Sequence, residues 1–149
     1  MSETEVVDAA RARLGVSEDQ LTSFWTLMWE EYLGKLNVEL FEWFRGLRPR
    51  FRTGILSNSF VGAREREQER YGFADVTDVI VYSHEVGFAK PDPRVYALTC
   101  ERLGVDPGGV VFLDDAPAAV EGARAAGWQA VLFGTTAQAI ADVDACLAT

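Results

Sequence analysis

The chain has 149 residues, 48% of them hydrophobic, which is enough for one domain with a sizeable core. Its net charge of −9 repels phosphate backbones and anionic lipid surfaces, so we expect neither nucleic-acid nor membrane binding. No apolar run approaches the roughly 20 residues that span a bilayer, and the N-terminus is acidic where a signal peptide would be basic. We therefore expect a cytoplasmic protein, in which Cys100 and Cys146, without metal or redox spacing, are buried free thiols.

Residues 1–48 have a helical pattern. Two capping boxes, Ser2 with Glu5 and Ser17 with Gln20, predict helix starts, and a third helix is predicted after Asn37. An aromatic stripe on these helices is interpreted as core packing. The alternative is an interface, for example in a homodimer, because large exposed apolar patches usually have partners. The residues concerned are Phe24, Trp25, Trp29 and Phe41.

Residues 49–149 alternate between short apolar runs and helical stretches. This alternation is typical of an α/β fold with a parallel, Rossmann-like sheet and helices on both faces. We predict helices after Pro93 and after Pro117, since proline favours the first helical turn, and a last helix near 136–147. The predicted strands are 53–57, 79–83, 110–114 and 129–133.

Polar residues follow three of the apolar runs. Ser57 and Asn58 end the first strand, Lys90 lies in a proline-flanked turn before a helix, and Asp114 and Asp115 end the third strand. In a doubly wound sheet the ligand crevice lies beyond the carboxyl ends of the strands. A hydroxyl and an ammonium there can bind phosphoryl oxygens, while paired carboxylates bind a magnesium ion that offsets their mutual repulsion.

Each of these signals alone has a simpler explanation. A serine after a strand is often a turn residue, and the segment around Lys90 is typical of a helix start in which Asp92 is the N-cap. Two acids ahead of a helix can cap it and interact with its dipole. The order and position of the three signals together favour a binding site.

The ordered segments LSNS, EVGFAKPDP and VVFLDDAPAAVEGARAAG resemble the haloacid dehalogenase-like (HAD) hydrolase superfamily over roughly residues 17–135. The resemblance implies a Rossmann-like core, a helical cap and, for most members, a magnesium-dependent phosphatase activity. It assigns residues 1–48 to part of the cap and residues 49–149 to the core. The expected ligand is a small phosphorylated or halogenated molecule.

The resemblance also implies roles for individual residues. Ser57, with Asn58 beside it, corresponds to the group that binds the transferring phosphoryl, and Lys90 to the catalytic lysine that neutralises its charge. Asp114 and Asp115 correspond to the acids that position magnesium. Ala119 departs from the pattern, because relatives with paired acids commonly have an asparagine there.

The family's nucleophile, an aspartate on the first core strand, has no counterpart in the chain. The aspartates that precede Ser57, Asp8 and Asp19, lie in helical patterns. Covalent catalysis requires a carboxylate in contact with phosphorus, so we expect little or no phosphatase activity and weak magnesium binding.

In the family the missing strand lies between the strands that here end at Ser57 and Asp114. Three explanations are open: these strands pair directly, another segment or a partner supplies a strand, or the chain is a truncated product. We predict direct pairing and hence a four-stranded sheet. A non-catalytic module that keeps the fold and serves in binding or dimerisation is the alternative function. A phosphoacceptor receiver domain is disfavoured, because its acidic pair comes before its hydroxyl and lysine.

Overall fold

The computed structural model describes all residues, 1–149, as two compact units. The first comprises Met1–Leu36 and Val61–Gly72, and the second comprises Asn37–Phe60 and Phe73–Thr149. The division into a cap-like segment at 1–48 and a core at 49–149 remains a prediction. In chain order the elements are α1 (Glu3–Leu14), α2 (Glu18–Leu33), α3 (Val38–Gly46), β1 (Gly54–Ser57), α4 (Ala63–Tyr71), α5 (Phe73–Val76), β2 (Val79–Tyr82), α6 (Ser83–Val86), α7 (Pro93–Leu103), β3 (Val111–Asp114), α8 (Pro117–Ala125), β4 (Gln129–Leu132) and α9 (Thr136–Leu147).

The first unit contains helices α1, α2 and α4. Both predicted capping boxes form, at Ser2 and at Ser17, so the start of each N-terminal helix was correctly predicted. Arg66 of α4 donates two hydrogen bonds of 2.7 Å to the carboxylate of Glu3 in α1, and Trp25 of α2 donates a third, also of 2.7 Å. One carboxylate therefore connects all three helices.

The aromatic stripe is only partly buried. Trp29 is 5% exposed and is stacked under the Arg66 guanidinium, whereas Phe24 is 58% exposed. Trp25 is half-buried, and Phe41, in the second unit, is half-buried beside Phe73. Core packing thus accounts for Trp29 but not for Phe24.

The second unit is the α/β part of the chain and matches the predicted Rossmann-like class. Strand β1 pairs with β2 in parallel, and β3 pairs with β4 in parallel. These are two separate two-stranded sheets, so the predicted direct pairing of β1 with β3 is wrong. A sequence pattern identifies the individual strands. Which strands pair depends on how the helices and strands pack in three dimensions, and a local pattern does not contain that information.

One hydrophobic core nevertheless serves both pairs of strands. Tyr96 of α7, Phe112 of β3 and Trp128 before β4 form edge-to-face contacts with centroids 5.0 to 6.3 Å apart, a favoured aromatic geometry. The same cluster includes Val81 of β2 and is packed against Leu56 of β1. Helix α7 contacts β1, β2 and α8, and so connects the two sheets.

Two further properties concern the chain as a whole. Both cysteines are free, as predicted. Cys100 is buried and accepts a hydrogen bond of 3.2 Å from the Trp128 indole, whereas Cys146 at the end of α9 is only half-buried, so the predicted burial is wrong for Cys146. None of the helices combines the length and the apolar character that crossing a membrane requires.

Candidate functional site

The residue that follows β1, Asn58, is hydrogen-bonded to the turn that contains Lys90. The Asn58 side chain accepts a hydrogen bond of 2.8 Å from the Lys90 amide and donates one of 3.1 Å to the Lys90 carbonyl. This two-way contact satisfies both backbone groups of Lys90 and fixes the direction of its side chain. The Ser57 hydroxyl lies next to it, 3.5 Å from the Asn58 carbonyl.

The Lys90 ammonium reaches the carboxyl end of β3. It lies 2.5 Å from Asp114 Oδ2, and only 12% of the lysine and 8% of the aspartate side chain are exposed. The other carboxylate oxygen of Asp114 accepts a hydrogen bond of 2.8 Å from the Ala116 amide at the start of α8. The predicted residues Ser57, Asn58, Lys90 and Asp114 are therefore brought together across the two sheets.

Asp115 differs from its neighbour. Its side chain is exposed, whereas both oxygens of Asp114 already have partners. Magnesium in proteins typically binds one or two carboxylates, with water and substrate phosphate completing its octahedron. The exposed carboxylate of Asp115 and the adjacent carboxylate of Asp114 could bind such an ion. No third His, Cys, Asp or Glu side chain completes a metal-binding group. The donor set is compatible with a loosely held magnesium ion.

Ala119, the departure noted in the sequence, is 3% exposed on α8. Its carbonyl accepts a hydrogen bond of 2.8 Å from the buried Tyr96 hydroxyl. Burial raises the pKa of Tyr96, and the negative charge of Asp114 raises it further. Tyr96 is therefore a neutral hydrogen-bond donor, and it holds the first turns of α8, the helix that follows the acidic pair.

A serine and histidine cluster adjoins the site; its Ser59 lies in the LSNS segment, but the contact with His84 was not predicted from the sequence. Ser59 Oγ lies 2.8 Å from His84 Nδ1, and the Ser59 amide donates a hydrogen bond of 2.8 Å to Ser83 Oγ. The cluster holds the segment that follows Asn58 against the start of α6. His84 is the only histidine in the chain, and its position just after a predicted strand was the available signal.

The sequence matches a known protein family over most of its length. Residues 7–127 match the haloacid dehalogenase-like hydrolase family. The chain belongs to this family. That membership confirms the resemblance inferred from the three segments.

The similar proteins of known function include phosphatases. The chain is 41% identical to phosphatase MT3486 of Mycobacterium tuberculosis over 96 residues, which are 63% of this chain and 42% of the phosphatase. It is 36% identical to the N-acetylmuramic acid 6-phosphate phosphatase of Pseudomonas aeruginosa over 83 residues, or 54% of this HAD chain and 37% of that enzyme. The HAD chain thus spans about two fifths of the length of these curated relatives.

Solved HAD structures share the fold. A HAD family enzyme of Bacteroides thetaiotaomicron, crystallised with magnesium and inorganic phosphate, superposes with a TM-score of 0.74 at 21% identity. The match covers 90% of this chain and 70% of that one. At this identity the similarity establishes the α/β fold.

Proposed function

We propose that this HAD chain carries the phosphate-binding and magnesium-facing part of a phosphatase site. In this proposal Ser57 and Asn58 bind phosphoryl oxygens, Lys90 neutralises their charge, and Asp114 with Asp115 faces the metal. The observation that supports it best is Lys90, which connects the end of β1 to the end of β3 through Asn58 and Asp114. Similarity to phosphatases makes a small phosphorylated molecule the proposed ligand class.

We propose further that the chain alone does not turn over phosphate esters. Of the four strands, only β3 ends on a carboxylate, and the carboxylate of Asp114 is already bonded to Lys90 and Ala116. An oxygen held in this way is a poor nucleophile, because attack on phosphorus would require it to leave both partners. Magnesium, when bound, would polarise the phosphoryl group, while Lys90 and Ser57 would orient it.

The activity proposal is tested by a phosphatase assay on highly purified protein, with p-nitrophenyl phosphate and magnesium. We expect no hydrolysis above that of an Asp114→Asn variant. Steady magnesium-dependent turnover that disappears in Asp114→Asn would refute the proposal of inactivity.

Ligand binding is tested separately by calorimetry and ³¹P NMR. We expect inorganic phosphate to bind and magnesium to bind weakly, since water would fill most of the magnesium coordination sphere. Ser57→Ala should reduce phosphate binding, whereas Ser2→Ala, at the N-cap of α1, should not. Micromolar magnesium affinity, or equal phosphate binding by both variants, would contradict the assigned roles.

The alternative function is a non-catalytic binding or dimerisation module. The observation in its favour is Phe24 on α2, an aromatic residue that is 58% exposed. Light scattering distinguishes the two functions: a dimer that Phe24→Ser converts to a monomer supports the module, and a monomer at high concentration argues against it.

A further inference from the structure

Ser59 and His84 lie just beyond the carboxyl ends of two neighbouring strands. The parallel ladder of β1 and β2 ends with Ser57 opposite Tyr82, and Ser59 and His84 each come two residues after that pair. The Ser59 hydroxyl oxygen lies 2.8 Å from His84 Nδ1. In α/β folds the ligand crevice lies beyond the carboxyl ends of the strands. The pair of side chains is therefore on the ligand side of β1 and β2, beside the phosphate-binding candidate Ser57.

Contacts on both residues hold this pair in place. The Ser59 amide donates a hydrogen bond of 2.8 Å to Ser83 Oγ, and the Ser83 hydroxyl lies 3.4 Å from the Ser59 carbonyl. The imidazole of His84 packs against the ring of Tyr82, which is 1% exposed, with 5.7 Å between the ring centroids. Groups held in position before a ligand arrives bind it better, because little conformational entropy is lost on binding. The Ser59 and His84 pair meets this condition.

The pair has one hydrogen-bond donor more than its internal contact uses. A neutral imidazole has one N–H group, and a serine hydroxyl has one O–H group. If the hydroxyl donates to Nδ1, the spare donor is His84 Nε2–H; if Nδ1 donates to the hydroxyl, the spare donor is the Ser59 O–H and Nε2 is an acceptor. No other residue of the chain is hydrogen-bonded to either side chain. His84 Nε2 is therefore unpaired in both forms, on a side chain that is half-buried.

We propose that the Ser59 and His84 pair binds a hydroxyl group on the organic part of the phosphate ester, with that hydroxyl on His84 Nε2. The inference rests on the proposed function, in which Ser57 binds the phosphoryl group of the same ligand. A hydroxyl both donates and accepts, so it is complementary to Nε2 in either tautomer. A second anionic group suits the position less well, because the Lys90 ammonium is already paired with Asp114. The ligand class is thus a phosphate monoester of a hydroxylated organic group.

The test compares two ligands that differ in their hydroxyl groups alone. Glycerol 3-phosphate and n-propyl phosphate have the same three-carbon skeleton, and calorimetry measures the affinity of the full chain for each. We expect glycerol 3-phosphate to bind about three- to tenfold more tightly, which is the effect of one net hydrogen bond. Inorganic phosphate, measured alongside, gives the affinity for the phosphoryl part.

Two substitutions at one position separate Nε2 from the rest of the ring. His84→Asn keeps a hydrogen-bonding atom near the position of Nδ1 and has none near Nε2, whereas the longer side chain of His84→Gln places its amide near Nε2. We expect His84→Asn to lower the affinity ratio of the two esters to about one, and His84→Gln to retain part of the ratio. Ser57→Ala is the control: it should weaken the binding of both esters and leave their ratio unchanged, because it acts on the phosphoryl group that they share.

Circular dichroism checks that each variant folds. Should His84→Asn fail to fold, Ser59→Ala must lower the ratio instead, because it removes the hydroxyl that orients the ring. The comparison of the two esters on the unmodified chain requires no variant.

Three outcomes would overturn the inference, and they separate it from the proposed function. If neither ester nor inorganic phosphate binds, the proposed function fails and the inference fails with it. If both esters bind the unmodified chain equally, the inference is wrong while phosphate binding stands. If the preference for glycerol 3-phosphate persists in His84→Asn, a different group recognises the hydroxyl and His84 does not have this role.

Discussion

Lys90 contacts both sides of the candidate site, through its backbone on one side and its ammonium on the other. Its pair with Asp114 is almost fully buried, and loss of one partner leaves an uncompensated charge in a medium that solvates it poorly. By contrast, Arg45 and Glu42 form a pair at the same distance of 2.5 Å, but with side chains 58% and 50% exposed. Burial, and not distance, separates the two pairs.

We predict that Lys90→Met lowers the free energy of unfolding by about 3 kcal/mol in urea titration at neutral pH. The control Arg45→Met should change it by less than about 0.5 kcal/mol, because exposed pairs contribute little. The double variant Lys90→Met/Asp114→Leu should recover part of the loss. Equal effects of the two single variants would show that the buried pair has no special importance.

We predict that His84→Ala loosens the contact between Asn58 and Lys90, because Ser59 loses the ring that anchors it. The expected result is faster exchange of the Lys90 amide, by about tenfold, with the β2 and β4 amides unchanged. Asp115→Ala, which removes an exposed side chain nearby, serves as the control. If both variants leave the Lys90 amide unaffected, Asn58 is held without the cluster.

At the scale of elements, most of the helices and strands could be predicted from the sequence. Local rules sufficed for the predicted caps at Ser2, Ser17, Asn37 and Asp92, each of which binds a backbone amide in the next turn. The four strand predictions are each within one residue of the structure. The four-residue helices α5 and α6 were missed, because one turn is too short to produce a periodic pattern.

More of the candidate site than of the strand pairing could be predicted from the sequence. Asn58 was recognisable because it follows an apolar run, and Lys90 because it lies in a proline-flanked turn before a helix. The contact of Ser59 with His84 was not, because His84 lies in the short helix α6, for which the sequence has no periodic signal. The separation of β1 from β3 was also beyond local patterns, because the sequence of a strand does not specify which strand it pairs with.

The α8 helix provides a test of close packing at this scale. A Cβ atom at Gly122 would lie 2.8 Å from Pro91 Cβ and 2.8 Å from the Tyr96 hydroxyl, whereas one at Gly46 of α3 would meet nothing within 4 Å. We predict that Gly122→Ala destabilises the protein by about 1 to 3 kcal/mol. Gly46→Ala should be neutral or stabilising by up to about 1 kcal/mol, as helix propensity alone dictates. Thermal unfolding measures both, and a stabilised Gly122→Ala would contradict the close approach of α8 to α7.

At the scale of the whole molecule, acidic residues outnumber basic ones by 23 to 14, so the response to acid depends on which carboxylates have partners. Glu3 has several. Hydrogen bonds from Arg66 lower its carboxyl pKa below 4.5, partial burial opposes this, and a hydrogen bond from Trp25 lowers it further. The charged form of Glu3 thus favours the folded first unit.

We predict that Glu3 contributes stability that is fully present above pH 4.5 and is lost as the pH falls through its lower folded-state pKa. The Glu3→Gln variant should therefore be less stable at neutral pH and should lose less stability on acidification than the parent. Thermal midpoints measured across this range test it, with Glu18→Gln as the control, because Glu18 forms only a 3.9 Å pair and is 86% exposed. Parallel acid curves for the parent and Glu3→Gln would refute the assignment.

The solitary imidazole of the chain gives the candidate site a spectroscopic label of its own. Because His84 is the only histidine, each of its two carbon-bound ring protons gives a single histidine resonance in the proton NMR spectrum. Its contact with Ser59 places that signal beside the candidate site. Chemical shifts of those lines can follow phosphate or magnesium titrations without isotope labelling and without assignment of the rest of the molecule.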